Sequence, residues 1–294
     1  MQYSDRWGSL KLNVLVVGGA GNLGRAFVEG LKLKSHRAFV WDKKEGLLNL
    51  SVDTLANWQI DLIVNFSVIA NLRQKEVRVT DEDYSVNVLG LSHLVDLSQE
   101  VKIPIIHIST REVIGVRDFR LNNTIVDNSV SLRQISENEP CLPLHSYGKT
   151  KLISEFIMHG CTLGTTIRLN TCYTDEIIGG AGLIANLIRK SRDESRVVLD
   201  NNGVALRDPL HISDLLDLIL RVHNARFYGE TLHAGGGTDN TISLKDICFL
   251  ANKDVVVTNG KTNNDFGFLM NITKAQTLGW IPSINFREWI SRIS

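Results

Sequence analysis

A valine-rich strand that runs straight into three evenly spaced glycines constrains this chain more than any other feature. Asn13 to Val17 reads NVLVV, an apolar run suited to a strand buried on both faces of a parallel sheet. Gly18, Gly21 and Gly24 follow with the spacing G-x-x-G-x-x-G, and Phe27, Val28 and Leu31 then recur at helical spacing. The order is strand, glycine turn, helix. In that setting glycine permits a tight turn, close approach of backbone to a pyrophosphate, and close packing of helix on strand. The free N–H groups and positive dipole end of the helix suit an anion.

The rest of the composition excludes more than it assigns. The 294 residues are 43% hydrophobic, enough for a large α/β core. Lys plus Arg and Asp plus Glu both number 32, so no basic excess points to nucleic acid. Cys141, Cys161, Cys172 and Cys248 are scattered without a C-x-x-C pair, which argues for a reducing compartment and against a metal site. The opening MQYSDRWGSLK reads as neither signal nor transit peptide. No apolar run reaches the length of a bilayer span. The expectation is a cytoplasmic protein with no nucleic-acid or membrane partner.

Taken in order, the chain alternates strand and helix. Ala38 to Trp41 predicts a second strand ending in Asp42, about 20 residues past the glycine turn, where a carboxylate binds ribose hydroxyls. An acid there favours NAD over NADP, because it repels a 2′-phosphate, although Lys43 and Lys44 follow. Leu47 to Leu50 is expected as a short edge strand, Val52 to Trp58 as a helix and Asp61 to Phe66 as a buried strand. Asp83 to Glu100, with Asn87 near its start, has helical amphipathicity. Ile103 to Ile108 is a strand, with Ser109 and Thr110 at its C-terminal end, where open α/β sheets bind ligands. The polar segment from Val116 to His145 is long enough to suggest a substrate-covering loop. Tyr147 to Met158 reads as a helix and Thr165 to Leu169 as a strand. Beyond them come a helix over 182–192, a hairpin over 196–206 around Asn201, Asn202 and Gly203, and a helix over 213–222 capped by Ser213. Ser243 caps another helix, and the helix over 272–278 stops at Gly279 and Pro282. The expected fold class is α/β: a Rossmann-type doubly wound parallel sheet with a smaller C-terminal α/β substrate lobe. Residues 1–170 form the dinucleotide-binding domain and 171–294 the lobe, with interleaving of the two left open.

Thr110, Tyr147 and Lys151 carry the chemistry. Tyr147 and Lys151 are four residues apart and share a helix face. A free tyrosine is a poor base at neutral pH; an ammonium one turn away, together with a positive nicotinamide, would favour the phenolate. Tyr147 would then take a proton from a sugar hydroxyl that Thr110 orients, and Lys151 would also hold the nicotinamide ribose. Glu112 is the fourth candidate, either a base beside the reacting carbon or a partner of Arg111 or Arg117. Asn87 either serves the cofactor side or accommodates an irregularity of its helix. His107 and His211 read as core histidines, and Trp280 and Trp289 as packing anchors.

The motifs VGGAGNLG at 17–24, Asp42, NVLG at 87–90, ISTREVIG at 108–115, YGKTK at 147–151, RDPLHISDL at 207–215 and LGWIP at 278–282 run through nearly the whole chain. In this order they resemble the extended short-chain dehydrogenases of the NAD-dependent epimerase/dehydratase family, which act on nucleotide sugars. The resemblance implies catalysis by Thr110, Tyr147 and Lys151, with Glu112 beside them. It implies cofactor contacts from Gly18, Gly21, Asn22, Leu23, Gly24, Asp42, Asn87 and Lys151, and substrate contacts from Thr171 and Arg207, the latter on the diphosphate unless it only pairs with Asp208 or Asp214. It also implies a homodimer built on helices such as 83–100 and 147–158. Val17 replaces the usual threonine, Ile114 replaces the tyrosine of V-Y-G, and the loop before Tyr147 is longer than usual. That loop, the HSYG entry and GGGTDNTISL at 235–244 look most like CDP-paratose and CDP-tyvelose 2-epimerases. Thr110 with Glu112 looks like 4,6-dehydratases and UDP-glucuronate decarboxylases, and the N-terminal half is similar to dTDP-4-dehydrorhamnose reductases.

Overall fold

The apolar run from Asn13 supplies a central strand of a six-stranded sheet, and its alternate residues feed two separate cores. The computed structural model describes residues 11–70, 78–115, 119, 132–177, 180, 182–263 and 265–293. Val14 and Val16 pack with Phe27, Leu31 and Leu215 on one side, while Leu15 and Val17 pack with Leu55, Leu91 and Leu94 on the other. A strand with helices on both faces must be apolar at every position, which is why no alternation shows in the sequence.

In chain order the first half comprises β1 (Asn13–Val17), α1 (Asn22–Leu33), β2 (Arg37–Trp41), α2 (Val52–Asn57), β3 (Leu62–Asn65), α3 (Asp81–Tyr84), α4 (Gly90–Val101), β4 (Ile105–Thr110), β5 (Gln134–Ile135) and α5 (Ser146–His159). There follow β6 (Gly164–Leu169), β7 (Thr171–Tyr173), α6 (Leu183–Asp193), β8 (Arg196–Leu199), β9 (Leu206–Arg207), β10 (Pro209–His211), α7 (Ile212–Asn224) and β11 (Glu230–Ala234). The last part holds β12 (Ile242–Ser243), α8 (Leu244–Ala251), β13 (Val256–Asn259), β14 (Leu269–Met270), α9 (Thr273–Gln276) and α10 (Phe286–Ile293). The main sheet has the order β11-β6-β4-β3-β1-β2 and every pairing in it is parallel. The chain reverses its direction of travel across the sheet between β1 and β3, and a crevice at such a reversal is where open α/β sheets hold ligands. The C-terminal region adds short two-stranded pairs, and it also returns α7 and β11 to the main sheet and its covering layer. Among the described residues no helix is long and apolar enough to cross a membrane.

Several local expectations are corrected. Leu47 to Leu50 is not an edge strand; residues Leu47–Asn49 form a single 3-10 turn. Gly46 turns the chain with φ +74°, and Leu47 is drawn down against Gly90, where a Cβ would meet its side chain. Residues 196–206 are not a hairpin. β8 pairs in parallel with β13, and Asn201 and Asn202 adopt left-handed φ values of 51° and 54° in a 3-10 turn tied to Asn263. The helix expected from Ser213 begins one residue earlier, with His211 as its cap, accepting from the Ser213 N–H at 3.3 Å. The helix expected over 83–100 is broken into α3, a π turn over Ser85–Leu89, and α4. Ser243 does cap α8, accepting from the Asp246 N–H at 3.0 Å.

Two buried polar side chains fasten the C-terminal segment. The Asp214 carboxylate accepts from the Ser283 N–H and hydroxyl and from the Ile284 N–H, while its carbonyl receives the indole N–H of the fully buried Trp280 at 2.9 Å. Asn240 donates to the carbonyls of Gly236 and Ile284 and accepts from the Phe286 N–H.

Backbone packs tightly against backbone where α1 follows β1. A Cβ at Gly24 would sit 2.2 Å from the Gly18 carbonyl oxygen, so backbone would have to move. Gly24→Ala is expected to destabilise the protein by about 1–3 kcal/mol in denaturant unfolding, the usual cost of overpacking. Gly160→Ala, whose Cβ would meet nothing closer than 3.5 Å, is the near-neutral control.

Candidate active site

The glycine turn forms the floor of the site. Gly18 takes φ +77° and donates its N–H to the Trp41 carbonyl at 2.9 Å; a Cβ there would lie 2.6 Å from the Ser67 nitrogen. Gly21 caps α1 without a side-chain hydrogen bond, and the first turn of the helix directs its backbone N–H groups towards the glycine turn. Asp42, at the end of β2, is drawn over this turn. One carboxylate oxygen accepts from the Ala20 N–H and the other from the Lys43 N–H, each at 2.7 Å. The backbone therefore offers a cradle whose shape a side chain at Gly24 would destroy, with an acid at its rim.

Thr110 ends β4 and caps the short turn Arg111–Val113, its hydroxyl accepting from the Glu112 N–H at 3.3 Å. The same side chain lies beside the phenol of Tyr147, on the first turn of α5. Gly148 lets α5 approach this turn, since a Cβ there would lie 2.5 Å from the Glu112 carbonyl oxygen. Lys151 is buried one turn further on. Burial pushes the Tyr147 phenol up to about 12, with the Thr110 side chain opposing the rise and Glu112 adding to it. Lys151 Nζ lies 3.1 Å from His107 Nε2, and burial presses its pKa to about 7. A lysine desolvated this far is a weak source of positive charge.

Asn87 lies in the π turn and its amide is fully engaged. It accepts from the Ile69 N–H at 2.8 Å and donates to the Ile69 carbonyl and the Thr150 hydroxyl, while its own carbonyl receives Ser154 Oγ. The widened turn thus ties α5 to the strand of chain leaving β3, and Asn87 acts on that backbone. Arg111 and Arg207 are both buried and share Asp265, each reaching one of its oxygens at 3.9 Å. Arg111 also pairs with Glu112 at 3.7 Å and lies over the Phe268 ring. Burial, and then the neighbouring Arg111, lower Arg207 to about 9. Neither Asp208 nor Asp214 is its ion-pair partner: Asp208 is bonded to Asn170 and the Met270 N–H. Thr171 begins β7 and is buried, its hydroxyl donating to the side-chain Oδ1 of Asn170 at 3.5 Å. Arg117 and half of the expected covering loop, residues 116–118 and 120–131, lie outside the described residues.

Sequence reasoning missed the ion pair behind the site. Glu155, on α5, receives Arg168 of β6 at 2.7, 3.0 and 3.1 Å and Ser109 Oγ at 2.5 Å. Arg168 also donates to the Glu137 carbonyl, and His233 of β11 completes the group through the Ile135 carbonyl. Tyr147, Lys151 and Glu155 are spaced by four, so the signal was present on one helix face. Asp265 gave no such signal, being placed by tertiary structure alone.

The chain matches the family model described as RmlD substrate binding domain over residues 12–246, and it belongs to that family. It is 26% identical to a dTDP-glucose 4,6-dehydratase of Streptomyces antibioticus, covering 96% of this chain and 91% of the relative. A dTDP-4-dehydrorhamnose reductase of Bacillus anthracis, solved in complex with NADP, superposes with a TM-score of 0.77 at 20% identity, covering 96% of this chain and 98% of the other. A UDP-glucose 4-epimerase of Brucella ovis, solved with NAD, gives 0.76 at 18% identity, with 96% of each chain covered.

Breaking the buried pair should be costly, because it strands a charge. Glu155→Gln is expected to lose on the order of 3–5 kcal/mol in denaturant unfolding. The double variant Glu155→Leu, Arg168→Met should recover much of that loss, and strict additivity of the two single changes would refute the coupling.

Proposed function

With that family membership as the starting point, we propose that the chain is an NAD-dependent enzyme acting on a nucleotide sugar, an epimerase that works through a transient keto sugar. The observation that carries the reading is the placement of Tyr147 beside Thr110 at the C-terminal end of β4, with Lys151 on the same face of α5. Gly18, Gly21 and Gly24, with the N–H groups of Asn22 and Leu23, hold the pyrophosphate, and Asp42 takes the adenosine ribose hydroxyls and disfavours a 2′-phosphate. NAD, when bound, exchanges hydride with the sugar carbon. Tyr147 exchanges the proton of the sugar hydroxyl at its phenol oxygen, Thr110 holds that oxygen, and Glu112 stands where a second proton is moved. Arg207 meets Asp265 only at 3.9 Å, too long for a hydrogen bond, and shares that carboxylate with Arg111, so its guanidinium donors are the ones offered to a diphosphate. Thr171 lies on the same side of the site. Tyr147, pushed up to about 12 in the chain alone, needs a nearby positive charge to work as a base; a bound nicotinamide supplies one.

Within this reading the sugar nucleotide is of the CDP-paratose and CDP-tyvelose class. A second reading, an NAD(P)H-dependent 4-keto-sugar reductase, is favoured by the family itself and by the likeness to a dTDP-4-dehydrorhamnose reductase. The two differ in cofactor balance: an epimerase recycles its cofactor, whereas a reductase consumes one per turnover. Product analysis on CDP-, GDP-, UDP- and dTDP-sugars without added reductant separates them, and turnover only with added NAD(P)H would overturn the epimerase.

Tyr147→Phe is expected to lower turnover ~100- to 10,000-fold while leaving NAD binding nearly unchanged. Lys151→Ala should weaken NAD, and Asp42→Ala should erase the preference for NAD over NADP. Cofactor titration and turnover of the three variants check these roles together; near-normal turnover of Tyr147→Phe would refute the catalytic assignment.

We also propose a homodimer through α4 and α5. Phe156 and Ile153 stand on the outer face of α5 with 66% and 39% of their surface exposed, and Leu89 beside α4 is 45% exposed, an apolar patch suited to self-association. Phe156→Glu is expected to shift the protein to a monomer in light scattering; a wild-type monomer at working concentration would exclude the interface.

A further inference from the structure

Three buried polar side chains meet in a row beneath α5. Asn65 closes β3, His107 lies within β4, and Lys151 enters from the helix. Asn65 Nδ2 is 3.2 Å from His107 Nδ1, and His107 Nε2 is 3.1 Å from Lys151 Nζ.

The far end of the row fixes where its hydrogens lie. Asn65 Oδ1 receives the Ser67 backbone N–H at 2.9 Å and the Ser67 hydroxyl at 2.6 Å. A backbone N–H only donates, so that atom is the amide oxygen and the amide nitrogen faces His107. An amide NH2 donates and does not accept, so Nδ1 is the accepting nitrogen of the imidazole. A neutral imidazole carries its one proton on the other nitrogen. The Nε2–H therefore points at Lys151. An ammonium has only donors and would oppose N–H to N–H; a neutral amine offers its lone pair.

We infer that Asn65 and His107 are positioning residues that hold Lys151 as a neutral amine, by presenting it with a hydrogen-bond donor. The charges around it are consistent with this. Glu155, four residues along α5, favours the ammonium, but its oxygens are taken by Arg168 of β6 and Ser109 of β4. Arg168 itself repels a second cation. Tyr147, four residues back, is a neutral phenol, and Glu112 faces Tyr147 from the turn after β4. Burial keeps His107 well below its ordinary value, so it stays neutral. Lys151 in this state can take up a proton, which an ammonium cannot. The consequence for catalysis rests on the proposed role of Lys151 in the active site; the proton arrangement itself does not.

The test is nuclear magnetic resonance on the full chain without substrate, with 15N-labelled histidine and 13Cε-labelled lysine. In the wild type, His107 is expected as the neutral Nε2–H tautomer and Lys151 should titrate near 7. Asn65→Leu removes the donor without adding charge, releases the tautomer, and should raise the Lys151 midpoint by about one unit or more, roughly a tenfold change in proton affinity. Asn65→Asp keeps the Ser67 bonds on one oxygen, accepts from Nδ1–H with the other, and should switch His107 to the Nδ1–H tautomer. An Nδ1–H tautomer in the wild type, an ordinary Lys151 titration in the wild type, or a Lys151 midpoint unmoved by Asn65→Leu would each overturn the inference. If either variant fails to fold, the wild-type spectra decide alone. Since no turnover is read, failure here is distinct from failure of the proposed enzyme activity.

Discussion

The buried pair of Glu155 and Arg168 fixes α5, and the proposed chemistry rides on α5. Arg168 is anchored in β6, and it holds Glu155 through three short contacts while Ser109 reaches the same carboxylate from β4. The helix is thereby clamped to two adjacent strands at one point on its inner face. Lys151 and Tyr147, one and two turns earlier, inherit their positions from that clamp. Taking both charges out of water is expensive, so an arrangement of this kind gives orientation more than stability. The extra bonds from Ser109 and to the Glu137 carbonyl satisfy the remaining polar atoms, as a buried network requires.

The features legible in the sequence are those whose cause is local. The apolar run Asn13–Val17, the glycine turn and the spacing of Phe27, Val28 and Leu31 each follow from neighbours within a few residues, and all appear in the fold. The shared face of Tyr147 and Lys151 needs only helical periodicity. The misreadings have distant causes. Residues 196–206 contain good turn chemistry in Asn201, Asn202 and Gly203, yet β8 pairs with β13 rather than folding back on its neighbour. Leu47–Leu50 is apolar enough for a strand, but Leu47 is needed against Gly90.

The site mixes two kinds of fixed geometry. On the cradle side the donors are backbone groups, set by Gly18, Gly21 and the Ala20 N–H that orients Asp42. On the opposite side Arg111 and Arg207 are side chains, held by Asp265 and the Phe268 ring. A backbone cradle cannot be retuned by single substitutions without disturbing the fold, whereas the arginine side can. Divergence in what such a chain recognises is therefore easier on the side built by the C-terminal region.

β11 is the outer strand of the main sheet, and its register partner lies far back in the chain: His233 stands beside Arg168, 65 residues earlier. During synthesis β6 has left the ribosome long before β11 is available to cover its edge. Through that interval the growing chain presents an open, apolar parallel edge, the state most exposed to pairing with another nascent chain. Docking of β11 also brings its own bolt, because His233 lands on the Ile135 carbonyl and its N–H on Glu137. The last strand of the main sheet to arrive thus seals its edge and, in the same event, immobilises the carbonyl of Glu137 that Arg168 uses. Closure of the sheet and completion of the buried network around Arg168 are one step.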